Sequence, residues 1–152
     1  MKANAGRPLL VLSGLRIFVG VIWLANLSWK LPPDFGRDQP RGLLYSFSQA
    51  ERWAVVAPLR DLMRTVVIPH FTLFGWVVFT VELAAGLLLV SGLQTRLGAL
   101  IGTGQAVAIT ALVVQAPSEW AWGYAMFIVL NAIPLVGASS ARFSVVRRDR
   151  PA

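Results

Sequence analysis

Four long apolar blocks constrain the fold of this 152-residue chain more than any other feature. They cover about residues 8–28, 66–91, 97–116 and 120–138. Each block is close to the roughly 20 residues that an α-helix needs to cross the ~30 Å hydrocarbon core of a bilayer. Only 14% of the residues are charged, whereas soluble domains have about 25%. The sequence therefore predicts one all-α domain over residues 1–152, an integral membrane four-helix bundle.

The loop between the first two blocks is the only extended polar region, and it is predicted to contain short interfacial helices. Ser48 and Glu51 have the spacing of a capping box, which predicts a helix start at Ser48. Pro58 suits the first turn of a second short helix. Apolar side chains recur there every three or four residues, namely Trp53, Val56, Leu59, Leu62, Met63 and Val66, while Arg52, Arg60 and Arg64 fall on the opposite side. This pattern is typical of a segment lying in the membrane interface, and a loop helix that caps the bundle fits it as well.

Each block carries a strongly polar residue in its interior. Arg16 lies in the first block and Glu82 in the second. A charge within a membrane helix costs at least a few kcal/mol, so it normally faces the bundle interior and is paired there. We therefore expect an Arg16–Glu82 ion pair. At 1.5 Å per residue, both charges, Gln105 and Asn131 would lie roughly 10–14 Å from the cytoplasmic boundary.

This predicted intramembrane polar layer, formed by Arg16, Glu82, Gln105 and Asn131, has two interpretations. Buried ion pairs often fix the register of helices, and such a role needs no ligand. Intramembrane charges also mark functional sites, here a site that handles protons or binds a head group beside a quinone or a lipid. The sequence leaves both interpretations open.

A second candidate site is predicted at the outer face. Asn26, Trp29 and Lys30 follow one another at the end of the first block, and His70 stands at the start of the second. Histidine suits acid–base chemistry because its charge changes near neutral pH. A histidine that directly follows a proline at a helix start can instead be a capping or interface residue.

Composition narrows the chemistry that the chain itself can perform. Because the chain contains no cysteine and one histidine, it cannot use its own thiols, and it cannot supply two histidine ligands to a haem. We predict no metal site and no covalently bound cofactor. Although the net charge is +7, the basic residues flank the apolar blocks instead of forming one stripe, so we expect the lipid bilayer as a partner and no nucleic acid.

The charges between the blocks predict the orientation. One side has five acidic residues beside its six basic ones. The other side, which holds both termini and the second loop, has Asp149 and these basic residues: Lys2, Arg7, Arg96, Arg142, Arg147, Arg148 and Arg150. The short basic tail after the last block favours cytoplasmic termini in a cell (inner or plasma) membrane, with the long first loop outside.

Two sequence motifs carry a family resemblance. The first is Leu15-Arg16-Ile-Phe-Val-Gly20, followed by Trp29-Lys30-Leu31-Pro32. The second covers residues 82–96 and reads E-x-x-x-G-x-L-L-x-x-G-x-x-T-R. A last apolar block that runs into Gly137 and then Arg142-Phe143 completes the pattern. The chain resembles the DoxX/DoxD family, and its long first loop is similar to the DoxD branch, the small-subunit type of thiosulfate:quinone oxidoreductase.

The resemblance implies a four-helix bundle, a link to quinone-dependent redox reactions, and Arg16 and Glu82 as the characteristic charged positions. Two functions follow as expectations. The chain could be the membrane subunit associated with a quinone-linked oxidoreductase, with quinone as its ligand and other membrane or redox subunits as partners. Alternatively, it could be a non-catalytic accessory or scaffold subunit of a larger membrane complex.

Overall fold

The computed structural model describes residues 6–117 and 119–136. These residues form six α-helices and no β-strand, so the all-helical prediction is confirmed for this part of the chain. The helices are α1 (Gly6–Asn26), α2 (Leu43–Trp53), α3 (Ala57–Leu62), α4 (Phe71–Ser91), α5 (Thr95–Val113) and α6 (Ala121–Val136). A π-helical turn, Met63–Val67, continues α3 toward α4.

Two of the helices, α4 and α5, are long and apolar enough to cross a membrane. Only 28% and 22% of their most apolar windows are buried inside the protein, whereas the core helix of a soluble protein is mostly buried. The apolar helical stretches of the first and last blocks, Leu10–Asn26 and Ala121–Val136, are shorter. Helix α1 packs along α4, α4 along α5, and α5 along α6, with a smaller contact between α1 and α6. Four membrane spans arranged as one bundle remain a prediction.

Close contact between two glycines sets the register of α1 against α4. A Cβ atom on Gly20 would lie 2.9 Å from the Val90 backbone nitrogen and 3.0 Å from the Gly86 carbonyl oxygen. No side chain fits there unless the helices separate. Arg16, one turn before Gly20, consequently lies beside Gly92, the residue of left-handed conformation that ends α4.

The segment that follows α1 covers the N-terminal half of α4. Helix α1 ends at Asn26, whose side chain reaches Glu82 in the middle of α4. Farther along, the fully buried Phe35 lies against Gly75, where an added Cβ would approach the phenyl ring to 2.6 Å. The Arg37 guanidinium then stands 5.1 Å from the centre of the Phe71 ring. The chain thus runs along α4 from its middle to its first residue without forming a long helix.

One predicted helix start in the first loop changes, and the other is confirmed. The capping box at Ser48 and Glu51 is wrong, because α2 begins at Leu43 and the Ser48 hydroxyl donates to the Leu44 carbonyl within the helix, at 2.9 Å. The buried face of α2 starts at Leu43, a turn before the predicted cap, and extends the helix toward its N-terminus. Pro58 lies in the first turn of α3, as predicted.

The second apolar block also divides differently from the prediction. Helix α4 begins at Phe71 instead of residue 66, because Met63–Val67 belongs to the π-helical turn. Several predicted features of the two ends lie outside the described residues: the last residues of the fourth span, Gly137, the Arg142-Phe143 pair, Lys2 and the basic residues of the C-terminal tail. The orientation therefore stays a prediction.

The glycine contact provides a test of the register. Gly20→Ala should lower the free energy of unfolding by about 1–3 kcal/mol, because the added methyl overpacks the α1–α4 contact. Gly104→Ala is the matched control, since no atom lies within 4 Å of an added Cβ at that helical position. Thermal unfolding in detergent would measure both variants. Equal midpoints for the two variants would contradict the register.

Candidate functional site

A buried ion pair lies at the middle of α4. The Lys30 ammonium donates to both oxygens of the Glu82 carboxylate, at 2.6 Å to Oε1 and 2.7 Å to Oε2. Glu82 is fully buried and Lys30 is 4% exposed. Hydrogen bonds between ionised groups are shorter and stronger than neutral ones, and these distances are of that kind. The pair therefore places two opposite charges in the interior with no net charge.

Polar side chains from three segments surround this pair. Asn26, the last residue of α1, donates its side-chain amide to Glu82 Oε2 at 3.4 Å, and the side chain of Gln105 of α5 lies near the carboxylate. The Trp29 indole N–H donates to Asn26 Oδ1 at 3.2 Å. The Lys30 ammonium lies 4.4 Å from the centre of the Trp29 ring. We call Asn26, Trp29, Lys30, Glu82 and Gln105 the Lys30–Glu82 cluster.

The local sequence explains how Lys30 reaches Glu82. Beyond Asn26 the backbone continues to wind, since the amides of Leu27, Ser28 and Lys30 each donate to a carbonyl three residues earlier. This winding keeps the polar side chains at the end of α1 within one turn of each other. The Pro32-Pro33 pair then prevents further helix.

A second polar contact joins α1 to α6. The Trp23 indole N–H donates to Asn131 Oδ1 at 2.8 Å, and the Asn131 amide donates to the Phe127 carbonyl at 2.9 Å. Gly102 of α5 makes room for this bond, because a Cβ there would lie 2.9 Å from the indole nitrogen and would also meet Asn131 Oδ1. The Asn131 side chain therefore has hydrogen-bond partners on both α1 and α6.

The structure brings together part of the predicted intramembrane polar layer. Gln105 lies near the Glu82 carboxylate, whereas Asn131 contacts Trp23. The expected Arg16–Glu82 ion pair is wrong, because Lys30 supplies the cation and the Arg16 guanidinium lies beside Gly92. Gly92 is ten residues beyond Glu82, or about 15 Å along the axis of α4. The physical reason is the glycine contact, which holds Arg16 at the end of α4.

The residues of the predicted outer-face site lie in two separate places. Asn26, Trp29 and Lys30 are in contact, and they share one cluster with Glu82. His70 does not take part in the contacts of that cluster. It is exposed, and its Nδ1 lies 2.9 Å from the Val66 carbonyl oxygen. It precedes Glu82 by twelve residues, which is about 18 Å along the axis of α4.

Sequence reasoning therefore missed that the two candidate sites meet. The signal that could have revealed it is the pair of glycines in facing helices, Gly20 and Gly86. Small residues allow the backbones of membrane helices to approach closely. Setting these two glycines level in antiparallel helices places Asn26 opposite Glu82, and Lys30 one turn farther along.

An open cleft lies beside the cluster. Its volume is about 450 Å³, and it is lined by Trp29, Gln39, Pro40 and Arg41. Trp29 belongs to both the cleft and the cluster, since Lys30 lies against its ring. Among residues 6–117 and 119–136, no group of three or more acidic, histidine or cysteine side chains could hold a metal ion. The predicted lack of a metal in the whole chain stays a prediction.

A double-mutant cycle can identify the partner of Glu82. Lys30→Met or Glu82→Gln alone should lower stability by about 3–5 kcal/mol, because each leaves the other charge buried without its partner. The Lys30→Met/Glu82→Gln double variant should recover a large part of that loss. The matched cycle with Arg16→Gln should give no coupling to Glu82. Thermal unfolding of the purified variants measures both cycles, and coupling of Glu82 to Arg16 alone would contradict the observed pairing.

Comparison with known proteins gives one family match. A profile of the DoxD family, described as TQO small subunit DoxD, matches residues 11–147. The match includes every residue of the Lys30–Glu82 cluster. No curated protein and no solved structure gives a significant match. Together with the exposed apolar surfaces of α4 and α5, the match indicates a membrane protein. Because the profile covers most of its length, the chain belongs to the DoxD family.

Proposed function

We propose that this chain is the membrane subunit associated with a quinone-linked oxidoreductase, and that the Lys30–Glu82 cluster and the adjoining cleft bind the quinone head group. The family is described as the small subunit of a thiosulfate:quinone oxidoreductase. The partners in this proposal are therefore the other subunits of such a complex. The observation that carries the proposal is the fully buried carboxylate of Glu82, paired with Lys30 halfway along an apolar helix.

The residues present fit the chemistry of a quinone. Quinone carbonyl oxygens accept hydrogen bonds, and the cluster offers donors in the Lys30 ammonium and the side-chain amides of Asn26 and Gln105. The Trp29 indole provides an aromatic face against which a quinone ring can stack. The cleft that Trp29 borders, about 450 Å³, falls within the size range of small-molecule sites.

The ion pair suits proton transfer to a quinone. Reduction of a quinone adds two electrons and two protons, one proton at each carbonyl oxygen. The electrons would come from a redox partner subunit. The Lys30 ammonium can donate one of the two protons to one reduced oxygen, and the second proton would reach the other oxygen from water. The Glu82 carboxylate then retains a negative charge that favours the return of a proton from water to the pair. Because the pair is neutral before and after this cycle, the interior holds no lasting net charge.

The proposal includes an arrangement in the membrane. The four long helices, α1, α4, α5 and α6, would cross the inner or plasma membrane with both termini cytoplasmic. The segment from Lys30 to the start of α4 would then face the outside. The cleft would open toward that side, and the Lys30–Glu82 cluster would lie beneath it, within the membrane.

A non-catalytic accessory or scaffold role is the second candidate. It is favoured by the aromatic start of α6, where Trp120 and Trp122 are 67% and 71% exposed. Exposed tryptophans are common anchors in protein interfaces. In this case a partner subunit would cover them, and the buried ion pair would fix the packing of the helices.

Bound quinone in the purified complex tests the proposal. The tagged chain would be purified in mild detergent, its partners identified by mass spectrometry, and its quinone extracted and quantified per chain. Glu82→Gln should lower the quinone content about ten-fold or more, because Lys30 loses the carboxylate that holds its ammonium in place as a donor to the quinone, and a hydrogen bond to a charged group is worth about 1.5–3 kcal/mol. Asp61→Asn, the same change at an exposed carboxylate, should leave the content unchanged.

Two controls separate loss of the site from loss of the fold. The Lys30→Met/Glu82→Gln variant removes both charges together, and it should remain monodisperse while still lacking quinone. Quinone retained at the wild-type level by folded Glu82→Gln protein would contradict the proposed site. Recovery of a large complex that turns over without this subunit would instead favour the accessory role.

A further inference from the structure

The short helices of the first loop leave an apolar strip uncovered by the protein. Its members are 37–48% exposed and belong to α2, α3 and the turns that follow them: Trp53, Val55, Val56, Leu62 and Val66. The same segment buries a different set of apolar side chains in the core, including Phe47, Met63 and Val67. The strip is therefore a second apolar surface, and the core of the protein does not account for it.

A backbone hydrogen bond fixes the level of this strip. The Val55 amide donates to the Ala111 carbonyl in the last turn of α5, at 2.9 Å. At its other end, the strip leads through the π-helical turn and residues 68–70 directly into α4 at Phe71. The strip is thus held where α5 ends and α4 begins, at one end of the two helices that are long enough to cross a membrane.

The surroundings of the strip indicate what covers it. Beyond the strip, the exposed surface of α4 continues with Leu73 and Val77, which are 61% and 48% exposed. Arg52, Arg60 and Arg64 are exposed in the same segment. An apolar surface that continues onto a membrane-crossing helix and is accompanied by arginines matches the boundary between acyl chains and anionic head groups.

We propose that α2, α3 and the π-helical turn lie in the interface of the bilayer leaflet at this end of α4 and α5. The strip enters the upper acyl region, and the three arginines contact anionic phospholipid head groups. This inference does not depend on the proposed quinone site. Insertion of the strip into the membrane interface would also explain how the segment that covers the Lys30–Glu82 cluster is held against the N-terminal half of α4.

The cysteine-free chain permits a direct test. Val56→Cys and Val66→Cys, each labelled with an environment-sensitive fluorophore, would be reconstituted in vesicles that contain anionic phospholipid. Lipids spin-labelled near the head group should quench both labels, and aqueous iodide should quench them weakly. Two labelled controls calibrate the scale: Leu100→Cys, on the exposed apolar surface of α5, for the lipid interior, and Asp38→Cys, an exposed loop position, for water.

Either of two other quenching patterns would overturn the proposal. Iodide quenching equal to that of the Asp38→Cys control would place the strip in water. Protection from both quenchers would mean that a protein covers it, either a partner subunit or a second copy. Replacing the anionic lipid by a zwitterionic one should reduce the quenching by spin-labelled lipid in the labelled Val56→Cys and Val66→Cys proteins. The same change of lipid should have no further effect when the labelled proteins also carry Arg52→Glu and Arg64→Glu. If quenching does not depend on lipid charge in the proteins that keep the arginines, the role of the arginines is refuted.

Discussion

The ion pair between Lys30 and Glu82 is the interaction on which the rest of this structure depends. A lone carboxylate halfway along an apolar helix is costly, and a nearby cation relieves that cost only if the two charges meet in good geometry. Here both carboxylate oxygens accept from the ammonium, and Asn26 of α1 donates a further hydrogen bond to the carboxylate. The pair thereby ties the end of α1 and the following segment to the middle of α4.

This connection explains why the first apolar block does not simply continue as a helix along the whole of α4. Helix α1 stops at Asn26, level with Glu82, and an irregular segment continues along the N-terminal half of α4. Irregular backbone at membrane depth is tolerated where protein buries it or where it lines a cavity. Here Phe35 seals the segment against Gly75, and Trp29 borders the cleft. The break in the helix is therefore where the buried charges, the aromatic face and the cleft come together.

The sequence predicted the long helices well, because their apolar blocks are long and their boundaries carry glycine and proline. It also identified Glu82, Gln105 and Asn131 as interior polar residues and Asn26, Trp29 and Lys30 as a group. It did not predict which cation meets Glu82. That choice depends on the register between α1 and α4, which apolar composition cannot set and which the contact at Gly20 decides. The start of α2 was missed for a similar reason, since burial of Leu43 extends the helix beyond its apparent cap.

Infrared spectroscopy of the protein in lipid tests the identity of the Glu82 partner most directly. The carboxylate band of Glu82 can be assigned as the band lost in Glu82→Gln. The account predicts that Lys30→Met converts this band to that of a protonated carboxyl group, because an unpaired charge would not persist at that depth. It also predicts that Arg16→Gln leaves the band unchanged. A band that persists in Lys30→Met and disappears in Arg16→Gln would contradict the account.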